Sequence, residues 1–365
     1  MTDIKELVKG VHNCPCGKDH ACPTEAVEIG SGVLPKVVDL CAGFEKILLV
    51  ADQNTYRVCG AEVEKLLGAK VEGLVLYQTG DKPLIPNEEA LEKLEEEVRE
   101  LRQAIAHHLA AFRGMHVDPE NILIGAGTDF LYNLLIQLLG RDKTYAVEEP
   151  GYGKIRQIYA AGGVRCIGVP LDDQGIRPDR LAAARGLHIS PSHHFPTGLV
   201  TSVRRRQELL SWAADRDGYI IEDDYDSEFR FDTHPKPTMH SLDRSGRVIY
   251  MNTFSKSLAP SIRISYLVLP EGLMEEFQKR LGFYSCTVPS FEQYTLARFL
   301  SRGHFEKHIN RMRKFYRSRR NRVIDLLKNC PFAEKLTILE QDAGLHFLLK
   351  IDTALSDSEL SIKLR

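Results

Sequence analysis

Long apolar runs are missing from this chain, and with them most signs of a specialised environment. Nowhere in its 365 residues does an apolar stretch approach the ~18 residues that span a bilayer. The N-terminus, Met1-Thr2-Asp3-Ile4-Lys5-Glu6, has no apolar core of a secretory leader, so a cytoplasmic location is expected. The net charge is only −2, which excludes a global attraction to nucleic acid or to an anionic membrane. There is no internal repeat and no low-complexity tract. Disulfides are not expected in that compartment, so the eight cysteines read as thiols or ligands. Five of them (Cys41, Cys59, Cys166, Cys286 and Cys330) are scattered and read as small buried apolar side chains. What remains is a globular composition, 43% hydrophobic and 27% charged, in a chain long enough for two or three domains.

The other three cysteines fall in one short stretch. His12, Cys14, Cys16, His20 and Cys22 place five soft-metal ligands within eleven residues. Zinc suits such donors. The second Cys-x-x-Cys knuckle is absent, and ligands this close do not easily share one ion. Cys14, Cys16, His20 and Cys22 therefore stay open between a weak metal site and a loop of free thiols.

The patterning divides the chain into an α/β segment at 1–97, an α/β domain at 98–290 and a C-terminal part at 291–365. In the first, residues 46–51 and 71–77 read as strands flanking a helix over 55–67, a parallel βαβ unit of Rossmann-like kind. Residues 87–113 read as one amphipathic helix. Leu91, Leu94, Val98, Leu101, Ile105 and Leu109 share its apolar face, and Gly114 ends it. Strands are expected at 121–124, 144–147, 187–190, 219–221, 248–251 and 265–269, with helices between them and sites at their carboxyl ends. A helical region from 289 to 328 and a strand at 346–350 complete the reading. The basic run 311–320 reads as a solvated helix face rather than a nucleic-acid contact.

Two strand ends carry the chemistry. Tyr219-Ile220-Ile221 runs into Glu222-Asp223-Asp224-Tyr225, and residues 248–251 run into Thr253-Phe254-Ser255-Lys256. An amine, an acid and a phenol so placed suit pyridoxal phosphate (PLP). The aldehyde of PLP needs a lysine, its ring nitrogen a carboxylate, its ring a flat neighbour and its phosphate amides, hydroxyls and an arginine. Lys256 fits the Schiff base, Asp223 the ring nitrogen and Tyr225 the ring hydroxyl. Thr253, Ser255 and Arg263 fit the phosphate, joined by the amides of Gly127, Thr128 and Asp129 where a strand turns into a helix. Tyr152, after Glu149-Pro150-Gly151, fits the ring face. Each part alone is weak. A lone lysine after a strand is usually at the surface, and a lone Gly-x-Gly-Thr loop is usually a turn.

Taken together, Ile124-Gly125-Ala126-Gly127-Thr128, Glu149-Pro150-Gly151-Tyr152, Pro191-Ser192-His193-His194-Phe195-Pro196-Thr197-Gly198, Glu222-Asp223-Asp224-Tyr225-Asp226 and Thr253-Phe254-Ser255-Lys256-Ser257 resemble the fold type I aminotransferase domain of MocR/GabR-type proteins. The resemblance runs from about residue 99 to 365. It implies the same residue roles, an amino donor and a keto acid acceptor as partners, and a homodimer. It implies that an amino substrate displaces Lys256 from the aldehyde, after which the freed amine serves as general base. On this reading the family's N-terminal arm, the arginine that clamps a substrate carboxylate and the DNA-binding module of its regulators are not expected, and neither is direct DNA binding.

Residues 10–95 resemble the N-terminal part of sn-glycerol-1-phosphate dehydrogenase-like proteins, through Cys14-Pro15-Cys16-Gly17, Leu49-Val50-Ala51-Asp52-Gln53-Asn54 and Leu84-Ile85-Pro86-Asn87. That resemblance implies Asp52 near a nucleotide. The later glycine loop and metal ligands do not follow, so hydride transfer is not expected. Three functions stay in view: a PLP-dependent aminotransferase, a PLP- or amino-acid-sensing module without turnover, and an NAD(P)-dependent dehydrogenase supported by the first segment alone.

Overall fold

A computed structural model describes residues 32–52, 56–76, 88–229, 236–339 and 345–363. The chain divides into two compact units, Met1–Leu94 and Glu95–Arg365. Cys14, Cys16, His20 and Cys22 lie outside the described residues. No helix among the described residues is long and apolar enough to cross a membrane.

In the first unit, β1 (Ile47–Asp52) pairs in parallel with β2 (Val71–Leu76), Ile47 opposite Val71. The connection is less regular than the expected single helix. It is a π-helical turn, Tyr56–Gly60, followed by the α-helix Ala61–Leu67. The Tyr56 phenol reaches the Glu64 carboxylate across that junction. Gly68, at φ +58°, ends the helix where an L side chain would be strained.

The second unit is built on an eight-stranded sheet. Its strands are β3 (Ile122–Ala126), β4 (Thr144–Glu149), β5 (Arg165–Asp172), β6 (Gly175–Ile176), β7 (Gly186–Ile189), β8 (Tyr219–Asp223), β9 (Val248–Thr253) and β10 (Ile264–Val268). Their order across the sheet is β3-β10-β9-β8-β7-β4-β5-β6. Strands β5, β7, β8 and β9 join β4 in one parallel set. β10 runs antiparallel to both β9 and β3, so β3 points the same way as that set. Such a sheet must be covered on both faces, and its central strands are accordingly apolar without alternation. Ile249 and Met251 pack on one side with the helices Thr128–Leu139 and Glu271–Leu281. Tyr250 packs on the other with the helices Ser290–Ser301 and His304–Lys328.

The helix Glu88–Arg113 buries three residues of the expected stripe. Leu101, Ile105 and Leu109 are 0%, 0% and 1% exposed, and Gly114 follows at φ +64°. Truncating any of the three to alanine should cost about 2–5 kcal/mol. The basic residues of His304–Lys328 are mostly exposed, with Arg313 lying over the Phe112 ring at 4.9 Å. A short antiparallel pair, Leu336–Leu339 with Leu348–Ile351, and the helix Asp357–Lys363 close the description. The last strand begins later than expected, which leaves His346 in the segment that leads into it.

Candidate functional site

Six strands deliver their carboxyl ends to one edge of the sheet, and a cleft of about 430 Å³ opens there. It is lined by Thr128, Asp129, Tyr152, Asp223, Tyr225, Thr253, Ser255, Lys256 and Arg263. Gly127, the remaining expected residue, adjoins Arg263 directly. A Cβ on Gly127 would lie 2.2 Å from Arg263 Nη2, and its φ of +91° already excludes most side chains. Arg263 is itself left-handed, at φ +51°.

The floor of the cleft is an acid held by a hydrogen-bonded chain. Asp223 ends β8 and is 6% exposed. Its Oδ2 accepts from the Tyr132 hydroxyl at 2.9 Å and lies 3.5 Å from His188 Nε2. His188 Nδ1 lies 2.8 Å from the Tyr159 hydroxyl. If that hydroxyl donates, the ring proton sits on Nε2, facing the carboxylate. Burial, and next the Asp223 charge, raise Tyr132 well above the ordinary phenol, so it stays a donor. Asp223 Oδ1 is buried and accepts nothing. A buried carboxylate oxygen without a donor is costly, and the protonated ring nitrogen of a pyridoxal cofactor is the donor that suits it.

Beside it lies a second buried acid. Glu148 Oε2 accepts from the Ser190 amide at 3.0 Å and sits 3.6 Å from His194 Nε2. Burial pushes this carboxyl up to about 8 and His194 down to about 4, so at neutral pH both are largely uncharged. Behind the floor, Arg113 Nη2 meets Asp224 Oδ2 at 2.9 Å, both side chains essentially inaccessible. Burial alone would raise the Asp224 carboxyl, but Arg113, Ser192 and Tyr250 together hold it below its ordinary value.

The anion end is built from backbone and short side chains. The helix Thr128–Leu139 begins at Gly127 and presents its free amides to the cleft. Ser255 Oγ is buried and unpartnered. The Thr253 hydroxyl is already engaged. It accepts from Ser265 Oγ at 2.8 Å and from the Ser255 amide at 3.2 Å, and lies 3.3 Å from the Ile264 carbonyl. Lys154 Nζ meets Asp129 Oδ2 at 2.8 Å, and Arg263 Nη2 is 3.9 Å from the same oxygen. Tyr225 donates to the His193 carbonyl at 3.0 Å. Tyr152, 52% exposed, packs edge-on against Phe195 with ring centroids 6.0 Å apart.

Sequence reading did not single out Tyr132, His188, Glu148, Arg113 or Lys154. Tyr132, His188 and Arg113 lie outside the motifs, while Glu148 and Lys154 flank the Glu149–Tyr152 string without belonging to it. The one available signal was strand pairing: His188 opposes Ile221, two residues before Asp223 and therefore on its face of the sheet.

A family model for aminotransferase class I and II matches residues 96–365. The uncharacterized HTH-type transcriptional regulator YdeL of Bacillus subtilis is 40% identical over 263 residues, covering 72% of this chain and 57% of its own length. The probable rhizopine catabolism regulatory protein MocR of Rhizobium meliloti is 36% identical over 264 residues, covering 71% and 53%. This chain thus spans little more than half the length of the curated relatives it matches. A solved kynurenine aminotransferase of Pyrococcus horikoshii superposes with a TM-score of 0.62 at 23% identity, over 94% of this chain and 85% of that one, a likeness of fold. The resemblance of residues 10–95 to sn-glycerol-1-phosphate dehydrogenase-like proteins finds no support in these comparisons. The fold is that of type I PLP-dependent enzymes, the MocR-like character of the domain is supported and the cofactor is pyridoxal phosphate. By the match over residues 96–365, this chain belongs to the aminotransferase class I and II family.

Proposed function

We propose that this chain binds pyridoxal phosphate covalently through Lys256 and transfers an amino group from an amino donor to a keto acid acceptor. The observation that carries the reading is the buried, donor-less Oδ1 of Asp223 in the same cleft as Lys256. When bound, the cofactor supplies an electrophilic carbon and an electron sink. The protein's residues do the rest. Asp223 Oδ1 holds the proton on the ring nitrogen, while Tyr132 and His188 fix the carboxylate through Oδ2. The amides of Thr128 and Asp129, the Ser255 hydroxyl and Arg263 hold the phosphate, whereas the Gly127 amide is already given to the Gly125 carbonyl at 2.8 Å. Thr253 braces Ser255 rather than reaching the phosphate itself. Tyr152 covers the ring, and the Tyr225 phenol turns from the His193 carbonyl toward the ring hydroxyl. Lys256 is the amine that would take the proton from the substrate α-carbon.

A second reading, sensing without turnover, is favoured by the regulators among the relatives. One experiment separates the two. Purified protein is incubated with PLP, reduced with borohydride and mapped by mass spectrometry, then assayed for keto acid formation from a panel of amino donors. Label on Lys256 with product supports transfer, and label without product supports sensing. Label that persists in Lys256→Ala would sink both.

A further inference from the structure

Three side chains that the proposed reaction does not use converge beside the cleft. His193 follows β7, Asp226 follows β8 and His346 precedes the strand Leu348–Ile351. One ligand atom from each lies within 4.8 Å of the other two. His193 Nδ1 sits 2.7 Å from Asp226 Oδ2, and the His193 and His346 rings face each other with centroids 4.1 Å apart. His193 and Asp226 are 3% and 2% exposed. The Nε2 atoms of both His193 and His346 are buried and have no hydrogen-bond partner.

Protein packing alone does not account for this arrangement. A buried nitrogen without a hydrogen-bond partner is costly, and here two such rings lie side by side, tilted 37° to one another. Two imidazoles and one carboxylate form a donor set for a borderline divalent cation rather than for calcium or magnesium. The adjacent His194 is excluded from the set, because its Nδ1 bonds Thr197 Oγ1 at 2.7 Å and its Nε2 faces Glu148.

We propose that His193, Asp226 and His346 bind one divalent cation of the zinc class, at a site distinct from the residues that serve pyridoxal phosphate. Small side-chain rotations bring the three donors to the ~2.0–2.2 Å that zinc requires. The cation ties together the segments after β7 and β8 and the approach to the last strand. Phe195 packs against His346 at 5.5 Å and against Tyr152, so the cation also stiffens one wall of the cleft.

The test uses the full chain loaded with PLP, carrying Cys14→Ser, Cys16→Ser and Cys22→Ser to remove the other soft ligands. It is titrated with Co²⁺ and read by its visible ligand-field bands and by bound metal after dialysis. The expected result is about one equivalent of Co²⁺ in a nitrogen- and oxygen-ligated band that Zn²⁺ displaces. His346→Ala should lose affinity at least about 100-fold, and His346→Gln nearly as much. Both variants should keep borohydride labelling of Lys256, which shows that they are folded. Absence of the band in the parent protein overturns the site. So does undiminished affinity in folded His346→Ala or His346→Gln.

Discussion

The floor and the rim of the cleft are made differently. The floor is buried and cross-linked: Asp223, Tyr132, His188 and Glu148 are each under 10% exposed, and they come from separate elements. The rim is exposed, with Lys256, Arg263, Tyr152 and Lys154 facing solvent. A floor residue works through neighbours that hold its protonation and orientation. A rim residue works through its own atoms and can move. Disturbing the floor should therefore change stability and pH response, whereas disturbing the rim should change affinity with little effect on folding.

The sharpest way to break that contrast lies just behind the floor. Arg113→Ala strands the Asp224 carboxylate in the interior and should cost about 3–5 kcal/mol in urea unfolding. A loss below about 1 kcal/mol would mean that the floor is no more rigid than the rim.

Next in size is the Glu148 carboxyl, raised from its ordinary range to about 8. The folded state holds this proton and the unfolded state does not, so its contribution is complete at acid pH and is lost as pH rises through about 8. Between pH 6 and 9 it should remove about 2–3 kcal/mol. Glu228, also raised, to about 7 by burial, adds a slope of the same sign. Glu148→Gln should flatten the Glu148 share alone, as read from melting temperature against pH. An unchanged slope would place that proton elsewhere.

On the rim, Arg263→Ala should weaken PLP retention about tenfold and reduce its salt dependence, leaving the melting temperature of the cofactor-free protein unchanged. Tyr132→Phe removes one hydrogen bond to Asp223 and should cost only about 1 kcal/mol of folding stability. It should, however, shift the pH dependence of the bound cofactor's absorbance. If Arg263→Ala destabilised the fold more than Tyr132→Phe, the distinction between floor and rim would fail.

What could be read from sequence follows a different line. A strand end and the turn after it lie in one short contiguous string and present several functional groups at once. Asp223 on the floor and Lys256 on the rim, with Ser255 and Thr253 beside it, are legible for that reason. The partners of the floor acid arrive one per element. His188 sits in an apolar strand and Glu148 precedes the residue that looked functional, so neither stands out until the strands are paired. Strand β5 went unread because Gly168 and Pro170 interrupt it and its exposure is mixed. The π-helical start at Tyr56 went unread because its composition suits an ordinary helix.

One strand has a consequence for redesign. β10 is inserted between β9 and β3 in the reverse sense, so its entry, not its exit, faces the cleft. Neighbouring strands lie about 4.8 Å apart, which sets the turns after β9 and β3 roughly 10 Å from each other. Arg263 enters that gap from the connection 258–262. The length of this connection is thus an adjustment screw. Adding or removing a residue there would slide the guanidinium toward or away from the Gly127 turn without altering the pairing of any strand, and would retune which anion the cleft prefers while the acid floor stays in place.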